Sequence, residues 1–167
     1  MNKLYVGKVV GTHGIKGEIK VFSDVKIKER IFKSGTTLYF SDLNNSYEIE
    51  NVRFHKNNYL VLLKGFNNIN DVLFLLKKNV YVDRDIFLKK DEFVYEDLIG
   101  FEVLCDDKVY GKISDFEVNS SYATFFVEGD NNFYLPNVSE YVLNVDLKNK
   151  KVYTKNVGDL ILWKLMY

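Results

Sequence analysis

The sequence of 167 residues is poor in the residue types that carry most redox and covalent chemistry. It contains one cysteine, one tryptophan, one proline and two histidines. The single cysteine, Cys105, excludes an intrachain disulfide and fits a reducing compartment. No charged-then-apolar leader opens the chain, and no apolar run reaches the roughly 20 residues that a membrane-spanning helix needs. These absences predict a cytoplasmic protein that does not contact a membrane.

The titratable residues are scattered, whereas an active site requires them to converge. His13 and His55 are the only histidines, and Cys105 lies in an apolar stretch that is typical of a buried thiol. No Cys/His group has the spacing of a zinc site. The acidic pairs fall in a charged linker and a turn, where solvated carboxylates are the usual case. The sequence therefore predicts no enzymatic activity, no metal and no cofactor.

A net charge of zero conceals a strong asymmetry along the chain. Residues 1–90 hold 16 Lys and Arg against 9 Asp and Glu, whereas residues 91–167 hold 7 against 14. Two modules with different partners would explain this split: an anion for the first half and a basic or neutral protein for the second. The alternative is chance combined with the general need for solubility.

Short apolar runs separated by Asn, Asp and Gly turns dominate the chain, which is typical of an all-β barrel or sandwich. Strands are predicted over 4–11, 18–22, 36–40, 47–54, 59–63, 80–82, 101–105, 109–118, 123–127, 133–135, 141–147 and 151–154. Apolar residues recur at helical spacing only over Asn68–Lys77, with Asn68 or Asn70 as the N-terminal cap. For the apolar tail Asp159–Tyr167, helix and strand both remain open.

The charged segment Asp83–Glu92 is the predicted boundary between two modules, because the charge balance reverses at the same point. Within the second module, Gly111 predicts a β-bulge or a close backbone approach, and Pro136 is expected to end its strand. The predicted fold is all-β: two small β-barrels, residues 1–88 and 93–167, joined by a short linker, with one short helix in the first.

The segment Val6–Val21, VGKVVGTHGIKGEIKV, places a glycine-rich turn with one histidine between two predicted strands. Its spacing matches neither the phosphate-binding loop of nucleotide hydrolases nor the dinucleotide-binding fingerprint. Two overlapping G-x-x-G matches resemble the loop of KH domains, but that loop joins two helices and the flanks here are strands. From the residues alone, a plain turn and a basic anion-binding loop are equal alternatives.

The same segment resembles the opening of the RimM family of bacterial ribosome maturation factors, and the similarity continues in order along nearly the whole chain. Gly65–Arg84 is similar to the helix-then-strand segment of that family. Asp97-Leu98-Ile99-Gly100, followed by Gly111, resembles the opening of a PRC barrel, and Leu135-Pro136 resembles part of its end. One departure is that the family has two adjacent tyrosines where this chain has Val94-Tyr95.

The resemblance implies a non-enzymatic, monomeric assembly factor that binds the head of the immature small ribosomal subunit. It would contact a ribosomal protein of the head through its second barrel and 16S rRNA through its first. The residues expected at the protein contact are Phe93, Tyr95, Asp97, Gly100 and Phe101, and those expected to face rRNA are His13, Lys16, Lys20, Arg30 and Lys33. Two competing classes are an RNA-processing enzyme, for which clustered catalytic groups are absent, and a PRC-barrel adaptor unrelated to ribosomes.

Overall fold

The computed structural model describes residues 2–166, with side chains through residue 161. The chain divides into two compact units, Met1–Glu92 and Phe93–Tyr167. Both units consist mainly of strands, which confirms the predicted all-β class. None of the helices in the described residues is long and apolar enough to cross a membrane.

The first unit is a closed six-stranded barrel. Its strands are β1 (Lys3–His13), β2 (Glu18–Phe22), β3 (Thr37–Phe40), β4 (Ser46–His55), β5 (Asn58–Leu63) and β6 (Asn79–Asp83). They hydrogen-bond in the order β1-β2-β5-β4-β3-β6, and β6 returns to β1. Alternate residues point inward, so that Val6, Ile19 and Val21 are almost completely buried while Lys8 and Lys20 face outward. The hairpin β1–β2 thus presents its lysines on the outer surface of the barrel.

The segment Asn68–Lys77 forms two single 3₁₀ turns, Ile69–Asp71 and Leu73–Leu75, and not the one continuous helix that its spacing predicts. Asn68 caps the first turn, as predicted, since its side-chain oxygen accepts a hydrogen bond from the Asn70 N–H at 2.9 Å. Val72 and Leu75 are fully buried. Side chains three residues apart lie on the same side of a 3₁₀ helix. Val72 and Leu75 therefore anchor the segment without the longer apolar face of an α-helix.

Two one-turn helices complete the first unit, α1 (Lys28–Ile31) between β2 and β3 and α2 (Arg84–Phe87) directly after β6. The side chain of Asp83 caps α2 by accepting a hydrogen bond from the Asp85 N–H at 3.1 Å. The chain from α2 to Glu92 belongs to this unit. The charged segment that the sequence marks as a linker therefore has ordered contacts of its own.

The second unit is a six-stranded sheet preceded by a 3₁₀ helix, Tyr95–Leu98, and followed by α3 (Val157–Met166). Its strands are β7 (Glu102–Cys105), β8 (Lys108–Val118), β9 (Ala123–Glu128), β10 (Phe133–Pro136), β11 (Val142–Asp146) and β12 (Lys151–Thr154). The strand order is β10-β9-β8-β7-β12-β11, with β12 parallel to β7. The tail, for which the sequence leaves helix or strand open, is helical to Met166; Tyr167 lies outside the described residues.

One face of this second sheet carries the core and the other faces outward. Phe125, Val127, Phe133 and Leu135 are buried on β9 and β10, and the residues between them are not. Pro136 ends β10, as predicted.

Gly111 lies in a close approach of two strands, as predicted. Its φ is +153°, and a Cβ there would overlap the carbonyl oxygen of Glu128 on β9. The pairing of β7 with β8 shifts register at this point, between Val103 and Leu104. Only glycine meets both requirements, because it has no Cβ and tolerates positive φ.

Candidate functional site

The glycine-rich turn between β1 and β2 is held against the 3₁₀ segment of the first unit. The Ile69 N–H donates to the carbonyl oxygen of Ile15 at 3.0 Å. Gly17 has a φ of +96°, and a Cβ there would lie 3.1 Å from the backbone nitrogen of Asn68. These contacts fix the turn from one side, while Ile15 remains 80% exposed and Lys16 is also exposed. The turn is therefore an anchored protrusion that presents one lysine.

His13 and His55 come together at the outer surface of the barrel, although they end strands β1 and β4. Their rings lie 5.8 Å apart at a tilt of 60°. Beside them, the Arg53 guanidinium contacts both carboxylate oxygens of Glu18 at 3.2 and 3.3 Å. Glu18 raises the pKa of Arg53 by accepting these hydrogen bonds. Lys20 and Arg53 both pair in register with Leu60 of β5, so the cations of β2 and β4 flank one strand.

Phe54 places an exposed aromatic ring on the other side of β4, where it pairs with Tyr59 and its ring lies 5.1 Å from the Tyr59 ring. It lies between Arg53 and His55 on β4 and is 57% exposed. Lys28 of α1 places its Nζ 5.8 Å from the ring centroid. An exposed ring with adjacent cations is a suitable platform for stacking a nucleic-acid base. The outward surface formed by His13, Lys16, Lys20, Arg53 and His55 is called the hairpin surface below. Lys28 and Phe54 form a separate pair.

Arg30 and Lys33, the other two residues expected to face rRNA, lie in the connection between β2 and β3. Arg30 donates to both carboxylate oxygens of Glu92, at 2.8 and 3.0 Å, and to the carbonyl oxygen of Phe87 at 3.2 Å. Its charge is therefore already matched within the unit. Lys33 is exposed just after α1. The structure thus unites His13, Lys16 and Lys20 on one hairpin and gives Arg30 a structural contact.

The segment Phe93–Phe101 contains all the residues expected at the protein contact, and it packs at the start of the second unit. Asp97 Oδ2 accepts a hydrogen bond from the Val94 N–H at 2.9 Å and so caps the 3₁₀ helix. Gly100 adopts a φ of +89° and donates its N–H to the carbonyl oxygen of Ile113 at 2.7 Å. Both residues therefore have a clear role in shaping this segment.

Phe101 lies in the core and is only 5% exposed, so its side chain supports this region from below and is not available for direct contact. Tyr95 is half-buried, with its ring 5.8 Å from the rings of both Phe116 and Phe125. The neighbouring Ile99, which the sequence does not single out, is 45% exposed. Phe93, Tyr95 and Ile99 are thus the side chains of this segment that combine an apolar surface with access to solvent.

Among the described residues, no group of three or more His, Cys, Asp or Glu side chains is arranged to hold a metal ion. The His13–His55 pair therefore stands as two nitrogen-bearing rings on a basic surface. Cys105 is buried at 7% exposure on β7, as its apolar setting predicts.

Comparison with known proteins agrees with this two-unit architecture. A model of the RimM N-terminal domain matches residues 4–87, and a model of the RimM PRC barrel domain matches residues 95–160. The chain belongs to the RimM family. The ribosome maturation factor RimM of Staphylococcus aureus strain NCTC 8325 / PS 47 is 34% identical over 156 residues, which cover 90% of this chain and 93% of that protein.

A second RimM, from Staphylococcus aureus strain JH9, is 33% identical over the same proportions of both chains. The crystal structure of a RimM protein from Pseudomonas aeruginosa covers 95% of this chain and 100% of its own, with 20% identity and a TM-score of 0.46. The two domain matches and the Staphylococcus aureus relatives confirm the RimM resemblance that the sequence carries in its glycine-rich turn.

Two residues of the hairpin surface escape the sequence reasoning, Arg53 and His55, and so does the separate pair of Lys28 and Phe54. Phe54 alternates with the outward residues Arg53 and His55, so its strand position predicts an inward side chain and gave no signal of its exposure. The contact of Arg53 with Glu18 joins residues 35 apart in sequence, and no local pattern indicates it.

Proposed function

We propose that this RimM-family chain is a non-enzymatic factor that binds the head of the immature small ribosomal subunit during its maturation. In this proposal the second unit contacts a ribosomal protein of the head and the first unit contacts nearby 16S rRNA. The chain acts as a monomer in the cytoplasm, without a cofactor. It holds the junction of protein and RNA in a competent geometry until later proteins bind, and then leaves.

The observation that carries the proposal is the match of both RimM domains, in order, together with relatives named ribosome maturation factors. The charge of the two structural units supports the division of roles. Residues 1–92 hold 16 basic and 11 acidic residues, and residues 93–167 hold 7 and 12, so the units carry net charges of +5 and −5. A basic unit favours phosphate, and an acidic unit favours a basic protein.

The hairpin surface is the proposed contact with rRNA. Lys16 is exposed on the anchored turn, and Lys20 adds charge. Lys28 and the exposed ring of Phe54, on the other side of β4, offer a cation and a stacking surface next to it. His13 and His55 can donate hydrogen bonds to phosphate oxygens. Lys33 extends the basic surface, whereas Arg30 contributes less because Glu92 already binds it.

The proposed contact with the ribosomal protein centres on Tyr95 and includes Phe93. Both are half-buried, so part of each ring is accessible. Asp97, Gly100 and Phe101 act indirectly, by fixing the shape of this segment. Rigid aromatic anchors of this kind contribute much of the binding energy at protein interfaces.

The test is co-sedimentation of the full chain with ribosomal particles from a growing bacterium on a sucrose gradient. We expect the protein with free small subunits and not with assembled ribosomes. Replacing Lys16 and Lys20 together by Glu should weaken that association. A matched control replaces Lys148 and Lys150 by Glu, which makes the same charge change at exposed positions in the second unit. Recovery only at the top of the gradient, at low as well as high salt, would favour an adaptor unrelated to ribosomes.

A further inference from the structure

The outer face of β8, β9 and β10 contains a groove that lies apart from the Phe93–Phe101 segment in sequence. Its volume is about 200 Å³, and it is lined by Asp115, Phe116, Glu117, Thr124, Phe126 and Tyr134. The opposite face of the same strands is the hydrophobic core of the second unit. Apart from Phe116, which packs against the core, the lining side chains are ones that the alternation of the strands directs outward.

Strand register aligns these side chains in two rows. Asp115 pairs with Phe126, and Phe126 pairs with Tyr134. In the next row, Glu117 pairs with Thr124. Residues directly opposite each other on neighbouring strands share a face and lie about 5 Å apart. The Asp115 carboxylate thus stands beside the Phe126 ring, with the Tyr134 ring next in the same row, and the Glu117 carboxylate stands one row away on the same strand.

The two rings form a compact platform. The centroids of Phe126 and Tyr134 are 5.2 Å apart, and Tyr134 is 57% exposed. A cross-strand aromatic pair by itself stabilises a sheet. That role does not explain the two acids, because the residues directly opposite them are Phe126 and Thr124 and not lysine or arginine. An arrangement of acids and rings without a facing base matches the requirements of a cationic ligand.

Arginine fits this groove better than lysine does. Its guanidinium is planar, stacks on aromatic faces and donates pairs of hydrogen bonds to carboxylates. The lysine ammonium is more strongly hydrated and cannot stack in the same way. Asp115 is held in place, because its Oδ1 accepts a hydrogen bond from the Phe116 N–H at 2.8 Å. The net charge of −5 on residues 93–167 favours a basic protein as the source of the side chain.

We propose that this groove binds an arginine side chain of a basic protein partner, with the guanidinium stacked on Phe126 and Tyr134 and hydrogen-bonded to Asp115 and Glu117. The identification of that partner with a ribosomal protein rests on the proposed function. The groove would then add a second point of contact to the one that centres on Tyr95.

The test is an NMR titration of the isotope-labelled full chain with two probes, N-acetyl-arginine amide and N-acetyl-lysine amide. We expect arginine to shift the backbone amides of β8, β9 and β10, and to bind more tightly than lysine. Tyr134→Ala and Glu117→Gln should each weaken arginine binding by about two- to fivefold, the size of an exposed cation–π or ionic contact. Both side chains face outward, so neither change disturbs the core.

Matched controls are Leu143→Ala, which removes an equally exposed apolar side chain (59%), and Glu140→Gln, which removes one exposed acid elsewhere in the unit. Neither should alter arginine binding. Equal shifts with arginine and lysine, or an affinity unchanged by Tyr134→Ala, would overturn the proposal.

Gradient sedimentation separates this proposal from the proposed function. If the chain sediments with small subunits but does not bind arginine in the groove, only the proposal of an arginine site is wrong. A chain that binds arginine there but never sediments with small subunits overturns the ribosomal role and leaves the groove as a site for another basic protein.

Discussion

Arg30 and Glu92 are 62 residues apart in sequence and form a two-pronged ion pair, with both guanidinium nitrogens within 3.0 Å of a carboxylate oxygen. Glu92 Oε1 also accepts a hydrogen bond from the Lys89 N–H at 3.1 Å. The pair fastens the end of the charged segment to α1. It therefore explains why that segment belongs to the first unit, although its composition resembles a linker.

The Arg30–Glu92 pair predicts a specific response to acid. The hydrogen bonds from Arg30 and, to a smaller extent, from the Lys89 N–H lower the pKa of Glu92 from 4.5 to about 2. A carboxylate whose pKa is lower in the folded state stabilises that state fully above its ordinary pKa. This contribution is lost as the pH falls from about 4.5 to 2. We expect the NMR titration midpoint of the Glu92 carboxyl near 2, and a midpoint shifted clearly upward in Arg30→Gln, where only Lys89 still lowers it. An unchanged midpoint in that variant would show that the pair does not persist in solution.

Gly111→Ala should destabilise the second unit by at least about 2 kcal/mol, because it combines a strained φ with an overlap on the Glu128 carbonyl. Urea unfolding of the full chain measures the effect, with each unit followed separately by NMR. Gly158→Ala is the matched control, since nothing lies within 4 Å of a Cβ at that position on α3. The control should be neutral or slightly stabilising. Equal urea midpoints of the second unit in Gly111→Ala and Gly158→Ala would refute the close approach at Gly111.

Phe101→Ala and Tyr95→Ala should separate stability from binding. Phe101 is a core residue, so its truncation should cost about 3–5 kcal/mol of unfolding free energy. Tyr95 is partly accessible and lies at the proposed contact, so its truncation should weaken binding to the isolated head ribosomal protein beyond any effect on folding. Calorimetric titration at a temperature where both variants remain folded makes the comparison. Wild-type affinity in Tyr95→Ala would remove that residue from the interface.

The salt dependence of rRNA binding should distinguish lysines that contact phosphate from cations already paired. Each phosphate contact contributes about 0.7–0.9 to the slope of log affinity against log salt concentration. Lys16→Gln and Lys20→Gln should each lower that slope by nearly one contact. The double variant Arg30→Gln with Glu92→Gln keeps the net charge and should leave the slope unchanged. Mobility-shift assays over a series of salt concentrations measure the slope for each variant. A large fall of the slope in the double variant would show that Arg30 contacts rRNA after all.

The sequence by itself determined most of the strands of this protein. Strand β2 and the hairpin of β11 with β12 follow from alternation and turn residues, which are local signals of period two. Short stretches of chain were also enough to predict the close approach at Gly111, the end of β10 at Pro136 and the RimM resemblance of the glycine-rich turn. The sequence did not predict the 3₁₀ turns of Ile69–Leu75. Its spacing favours one continuous helix, whereas the packing of Val72 and Leu75 stabilises two separate turns.

Only the tertiary structure decided which side chains share a surface. The sequence grouped Arg30 with Lys16 and Lys20 by charge, but the fold pairs Arg30 with Glu92. It placed Phe101 beside Tyr95 by position, but the fold buries Phe101. The hairpin surface and the groove each join residues from several strands, in a register that the whole sheet fixes. Period and turn chemistry act over a few residues, whereas ion pairs and cross-strand rows join residues far apart in the chain, so local pattern could not predict them.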